Sequence, residues 1–192
     1  MLALLQKDIL GRAQAFAQSV GEAMLERALN WAYLSETEGS FAIEGEAPNA
    51  DKAMKFAALL RRAHERRPLT EDLLVELQNA TISNPFDKAV QFRVEQNRLQ
   101  RDVPGAAGVT YVPPAPELAV ELMNGLMHLA NHRPERLDAV VHAAVVSFAF
   151  VFIHPFMDGN GRLSRFLIQP LRDQTAQRPV LLALLMFQEE QK

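Results

Sequence analysis

Leu118, Leu122, Leu126 and Leu129 recur at intervals of three and four residues, and similar apolar repeats run through residues 54–60 and 73–77. Apolar side chains at that spacing share one face of a 3.6-residue helix, so the pattern predicts a mainly helical, all-α chain. It places long helices at residues 3–33, 50–66, 70–82, 116–132 and 136–152. The longest apolar run, Ala143–Ile153, has no polar face and reads as a buried helix, too short to cross a bilayer. Helical period is lost over residues 91–114 (QFRVEQNRLQRDVPGAAGVTYVPP), which carry Pro104, Gly105 and Gly108 and end in the β-prone Val109-Thr110-Tyr111-Val112. That segment is expected to form a small β-hairpin flap on the helical body. Pro113 and Pro114 have no amide to offer a strand and close it, while Pro116 suits the first turn of the next helix. Pro170 is expected to end or kink the helix it falls in, with a short last helix from Pro179 to Gln188. No linker, repeat or low-complexity tract interrupts the chain, so residues 1–192 read as a single domain.

Composition narrows the function classes. With 192 residues, 48% of them hydrophobic and 22% charged, the chain holds enough apolar material for a core. A net charge of -3 supplies no global basic field, so neither nucleic acid nor a membrane surface is expected as a partner, and any anion site must be local. The absence of cysteine removes disulfides, zinc–thiolate sites and thiol nucleophiles, and fits a cytoplasmic location. The opening MLALLQKDIL reaches Lys7 and Asp8 before any run long enough for a signal-peptide core. Several polar residues are read as structural. His128 and His132 lie four apart with no third metal ligand nearby, and His142 sits in an apolar helix as a hydrogen-bonded packing residue. His64 and the patch Arg61, Arg62, Arg66 and Arg67 read as solvated, and Trp31 and Phe41 as packing residues.

One segment concentrates chemistry: HPFMDGNGRLSR, residues 154–165. Pro155 biases His154 away from helical geometry, so the preceding helix should end there and leave an exposed titratable imidazole at a loop edge. Gly159 and Gly161 let the backbone approach a ligand closely, and a helix beginning here would aim its unpaired amides at an anion such as phosphate. Asp158 beside an anion site makes electrostatic sense if it holds a Mg²⁺ that bridges phosphate oxygens. Arg162 and Arg165, three residues apart, share one helix face and could grip successive phosphates. A base, a metal carboxylate, an amide-rich helix start and two arginines together describe phosphoryl or nucleotidyl transfer, in which positioning and charge stabilisation carry most of the catalysis.

The same residues match every specified position of HPFx(D/E)GNGRxxR, and the chain thereby resembles the Fic family. The resemblance implies a Fic fold and an enzyme, a protein adenylyltransferase that moves AMP from ATP, with Mg²⁺, to a Tyr, Thr or Ser hydroxyl of a target protein. It implies that His154 is the base, Phe156 an apolar anchor and Asp158 the Mg²⁺ ligand. Gly159, Asn160 and Gly161 would cradle phosphate, with Arg162 and Arg165 on the polyphosphate. In Doc-like kinases the end of the motif differs, whereas both glycines and the second arginine are present here, which favours AMP transfer.

Residues 40–45, SFAIEG, match the family's inhibitory pattern (S/T)xxxE(G/N) within a candidate inhibitory helix at about residues 35–46. Glu44 would pair with Arg165 and repel the terminal phosphate, with Ser40 one turn earlier steadying the helix. The same residues also read as an ordinary helix end, with Ser35 and Glu38 as a capping box at its start. Resemblance further assigns the flap, through Thr110, Tyr111 and Val112, to holding a target peptide by strand addition, and Tyr111 is itself a candidate acceptor. Removal of AMP, transfer of another nucleotide or phosphate group, and a non-catalytic binding module are the alternative readings.

Overall fold

A computed structural model describes residues 15, 18–45, 53–58, 68–82 and 84–172. The chain divides into two compact units, residues 1–66 with 169–192, and residues 67–168.

In the first unit, helix α1 spans Glu22–Ile43. Gly21 is extended at its start (φ -67°, ψ 152°), and this break, not Ser35, sets where the helix begins. Ser35 lies mid-helix, so the expected end at residue 33 and the capping box are both corrected. Nothing in the backbone interrupts that stretch: Thr37 Oγ1 donates to the Tyr33 carbonyl at 2.7 Å, a bond a β-branched hydroxyl makes without leaving the helix. The end comes at Glu44 and Gly45, whose amides return to the Phe41 and Ala42 carbonyls at 3.0 Å, with Gly45 left-handed at φ 71°. Phe41 is fully buried and meets Phe56, in a helical stretch at residues 53–58, edge-to-face at 5.6 Å. Trp31 is 60% exposed, contrary to the expectation of a packing residue. The outer parts of the predicted 3–33 and 50–66 helices, His64, the arginine patch and the Pro179–Gln188 helix lie outside the described residues.

The second unit starts with α2 (Glu71–Thr81), capped by Thr70 Oγ1, which accepts from the Leu73 amide at 3.2 Å. A connection with one 3₁₀ turn at Pro85–Asp87 leads to the flap. Its strands β1 (Leu99–Gln100) and β2 (Val109–Tyr111) pair antiparallel, Leu99 opposite Tyr111 and Gln100 opposite Val109, with an irregularity between. Gly108 is required at the tip, since a Cβ there would stand 2.1 Å from the Val103 carbonyl oxygen. The predicted hairpin is therefore present, and Val112 lies just past its second strand.

Helix α3 (Pro116–Asn131) begins on its proline as expected, and α4 (Ala139–Ile153) packs against it. Asp138 sets the start of α4, its Oδ1 accepting from the Val140 and Val141 amides at 2.8 and 3.1 Å. The core draws on Ala119, Met123, Leu126 and Ala130 of α3 and on Ala143, Val146 and Phe150 of α4. Leu118 and Leu122 are exposed, so the buried face of α3 lies one position away from the leucine stripe. Helix α4 is likewise not buried all round, with Val145, Phe148 and Phe152 outside and His142 and Ser147 inside. The two buried polar groups have partners: His142 Nε2 lies 2.9 Å from the Leu129 carbonyl, and Ser147 Oγ donates to the Ser164 carbonyl at 2.9 Å. Helix α5 (Asn160–Arg172) runs past Pro170, which does not end it there; near a helix terminus the missing amide removes only one late bond.

Candidate active site

The site begins where α4 stops. His154 caps the helix in the left-handed region (φ 55°, ψ 60°), its amide still bonded to the Phe150 carbonyl at 2.9 Å, while Pro155 bars a further helical turn. The ring folds back so that Nδ1 lies 3.1 Å from the Val151 carbonyl. Nδ1–H donation there leaves the acceptor lone pair on Nε2, the tautomer that a general base needs. The expectation of an exposed imidazole is corrected, since His154 is only 9% exposed.

Phe156 pins that loop to the core. It is buried against Phe92 at 5.5 Å and Phe150 at 6.4 Å between ring centroids. Asn160 closes the loop on itself: its Oδ1 accepts from the Phe156 amide at 3.0 Å, and its Nδ2 donates to the Phe156 carbonyl at 2.8 Å. The Asn160 side chain thus shapes the loop, with one amide hydrogen and one oxygen lone pair beyond these two bonds. Gly159 takes φ 85°, and a Cβ on it would stand 3.1 Å from Ile82 Cδ1. Below it, buried Gln78 donates to the Asp158 carbonyl at 3.3 Å and the Asp87 carbonyl at 2.9 Å, and accepts from the Ala89 amide at 3.1 Å. The first amide to reach back within α5 is that of Leu163, to the Gly159 carbonyl at 3.0 Å, so the amides of the first turn open toward the loop.

Arg162 is 2% exposed, with Nη2 3.2 Å from Asp158 Oδ2; Arg165, one turn on, is half-buried. Asp158 is about half exposed, and its Oδ1 also accepts from the Gly159 amide. Among the described residues no three His, Asp or Glu side chains gather as a metal cluster, and the stacked rings of His128 and His132, 4.5 Å apart, gain no third ligand. A lone, accessible carboxylate fits only a metal that takes its other oxygens from phosphates and water, the usual way Mg²⁺ is bound with a nucleotide.

The flap is tied to the same corner. Tyr111 donates its hydroxyl to the Phe152 carbonyl at 2.6 Å and packs its ring at a tilt against Phe152, 5.8 Å between centroids, while Thr110 Oγ1 donates to the Leu99 carbonyl and Val112 is exposed. Burial pushes the Tyr111 phenol above its ordinary value, and the nearby Arg93 charge pulls it partly back. Ser40 and Glu44 belong to the other unit, Ser40 buried on α1 and Glu44 exposed at its end. Sequence reasoning missed three residues around the motif, Gln78, Arg93 and Asn97. All three act on main-chain carbonyls, and nothing in their sequence neighbourhood marks such a partner.

These features define a mainly helical domain with a two-stranded flap set beside a His-Pro corner and a glycine-flanked helix start. The chain belongs to the Fic/DOC family, whose profile matches residues 68–171. Among curated proteins it is similar to the protein adenylyltransferase Fic of Nematostella vectensis, 25% identical over 202 residues that cover 89% of this chain and 44% of the relative. It is also similar to the protein adenylyltransferase fic-1 of Caenorhabditis elegans, 26% identical over 141 residues, 71% of this chain and 26% of the relative. The chain thus spans less than half the length of these relatives. A solved Fic family protein from Desulfovibrio desulfuricans G20 superposes with a TM-score of 0.66 at 17% identity, over 92% of this chain and 58% of that one. A Fic domain containing signaling protein from Bacteroides thetaiotaomicron gives 0.62 at 24% identity, over 84% and 70%. At these identities the likeness establishes the fold. No helix among the described residues is long and apolar enough to cross a membrane.

Proposed function

We propose that this chain transfers AMP from ATP to a hydroxyl side chain of a protein. The observation that carries the reading is the His154 corner: an imidazole with Nδ1 on the Val151 carbonyl, one short loop from a helix start bearing Arg162 and Arg165. His154 Nε2 takes the proton of the acceptor hydroxyl, whose oxygen attacks the α-phosphorus of ATP. The bond from that phosphorus to the β-phosphate oxygen breaks, and pyrophosphate leaves. General-base help of this kind contributes about 10²- to 10⁴-fold. The first-turn amides of α5 and the two guanidinium groups stabilise the charge that spreads over the phosphate oxygens. Asp158 would hold Mg²⁺, which supplies further neutralisation of the polyphosphate. The curated relatives named protein adenylyltransferase support the same reading.

Glu44 acts as a brake in this account, its carboxylate competing with the terminal phosphate for Arg165. The test is transfer from α-labelled ATP with Mg²⁺ by wild type, Glu44→Gly, and Glu44→Gly with His154→Ala, using self-modification and a cell lysate as acceptors. Strong labelling by the single variant and none by the double variant is expected. Equal labelling by wild type and Glu44→Gly removes the brake, and labelling that survives His154→Ala removes the base.

A further inference from the structure

Arg93 is a charged residue only 5% exposed, and it spends its donors on main-chain carbonyls. Its amide donates to the Pro155 carbonyl at 2.8 Å and its Nε to the His154 carbonyl at 2.8 Å. Its Nη1 donates to the Glu95 carbonyl at 3.0 Å, and its Nη2 to the Pro114 carbonyl. Glu95 lies just before β1 and Pro114 just after β2, so one planar group holds both ends of the flap and the residue that carries the base. Neighbouring amides repeat the tie, with Gln96 Nε2 on the Pro113 carbonyl and Asn97 Nδ2 on the Phe156 carbonyl, both at 3.0 Å.

We propose that Arg93 is a positioning residue that couples the flap to His154, so that a shift of the flap on binding an acceptor segment is passed to the imidazole. The effect on transfer rests on the function proposed above; the coupling does not. The left-handed His154 backbone is costly to maintain and persists only where neighbours fix it. The Arg93 fork fixes it from the carbonyl side. A lysine ammonium offers its donors from one point and cannot span three separated carbonyls as the rigid guanidinium does. Desolvation lowers the pKa of Arg93 from its ordinary value, and a guanidinium nonetheless stays cationic at neutral pH.

The test uses NMR of the full chain. In wild type, Arg93 Nε–H should exchange at least tenfold more slowly than that of Arg98, which is exposed and bonded only to Gln100 Oε1. In Arg93→Lys and Arg93→Gln, the His154 ring nitrogen signals should move and the Arg101 amide, bonded to Gly108 across the flap, should exchange at least tenfold faster. Arg98→Lys should leave the ring signals in place. On the Glu44→Gly background, Arg93→Lys should lower kcat about 10- to 100-fold with the KM for ATP little changed. Unmoved His154 signals in folded Arg93 variants, or an Arg93 Nε–H that exchanges as fast as that of Arg98, overturn the coupling, and the second measurement requires no variant to fold. Absence of transfer in every protein, including Glu44→Gly, counts against the proposed activity and leaves the NMR result to decide the coupling.

Discussion

Asn160→Ala removes the two hydrogen bonds that close the loop between His154 and α5. In the native loop the Phe156 amide donates to Asn160 Oδ1, whereas the Phe156 carbonyl is shared between Asn160 Nδ2 and Asn97 Nδ2. The substitution therefore strands one buried donor and thins the coordination of one acceptor that keeps a second bond. A stranded buried amide costs about 1–3 kcal/mol and the lost second bond about 0.5–1.5, so the expected loss is about 2–4 kcal/mol. For a chain of this size that lowers the melting temperature by roughly 5–15 °C. The measurement is a calorimetric or circular-dichroism melt of wild type and variant, with heteronuclear NMR to localise the change to residues around Phe156. A fall of less than about 2 °C, with Phe156 and His154 signals unmoved, refutes the claim that Asn160 acts by shaping the loop.

Two further substitutions test the surroundings of the motif. Gly159→Ala forces a Cβ into the left-handed region beside Ile82 and should cost about 1–2 kcal/mol, read as a lower melting temperature together with weaker binding in an ATP titration; unchanged values for both would contradict the need for φ 85°. Tyr111→Phe removes the hydroxyl bond to Phe152, and should loosen the flap in hydrogen exchange while the chain's own labelled sites remain the same, because a hydroxyl already donated is a poor acceptor of AMP. Its phenol is held above the ordinary value near 10, so its contribution is complete below pH 10 and is lost as pH rises toward the folded value. Tyr111→Phe should therefore flatten the alkaline limb of flap protection, and an identical limb in both proteins would argue against the bond.

Much of the scaffold was legible because helix-forming periodicity and proline placement are local signals. The beginning of α3 at Pro116, the hairpin ending near Tyr111 and the helix break at His154 all follow from such signals. What failed was the choice of buried faces. Of the leucine stripe on α3, Leu126 is buried, but Leu118 and Leu122 gave way to Ala119, Met123 and Ala130, since small residues allow close helix approach and that gain is invisible in hydrophobicity. On α4 the apolar pattern had no direction, and two polar residues, His142 and Ser147, went inside because carbonyls of neighbouring helices were there to receive them. Ser35 and Glu38 matched a capping pattern, yet the stronger local event was the extended Gly21.

The chemistry-bearing motif was readable as residue types, and the structure places His154 through Arg165 in one continuous turn and helix. Its supporting residues were not readable. Gln78, Arg93 and Asn97 stand between 59 and 80 residues away in sequence from the carbonyls they hold near the motif, and a donor aimed at a distant main chain leaves no pattern of spacing.

Transfer of the α-phosphoryl group with its nucleoside is what separates the proposed activity from phosphorylation. The direct measurement incubates Glu44→Gly with Mg²⁺ and either α-labelled or γ-labelled ATP, followed by mass spectrometry of the labelled protein. Label is expected on protein hydroxyls from the α position only, as AMP, with the γ label recovered in pyrophosphate. Label from the γ position on the protein would make the chain a kinase and contradict the account.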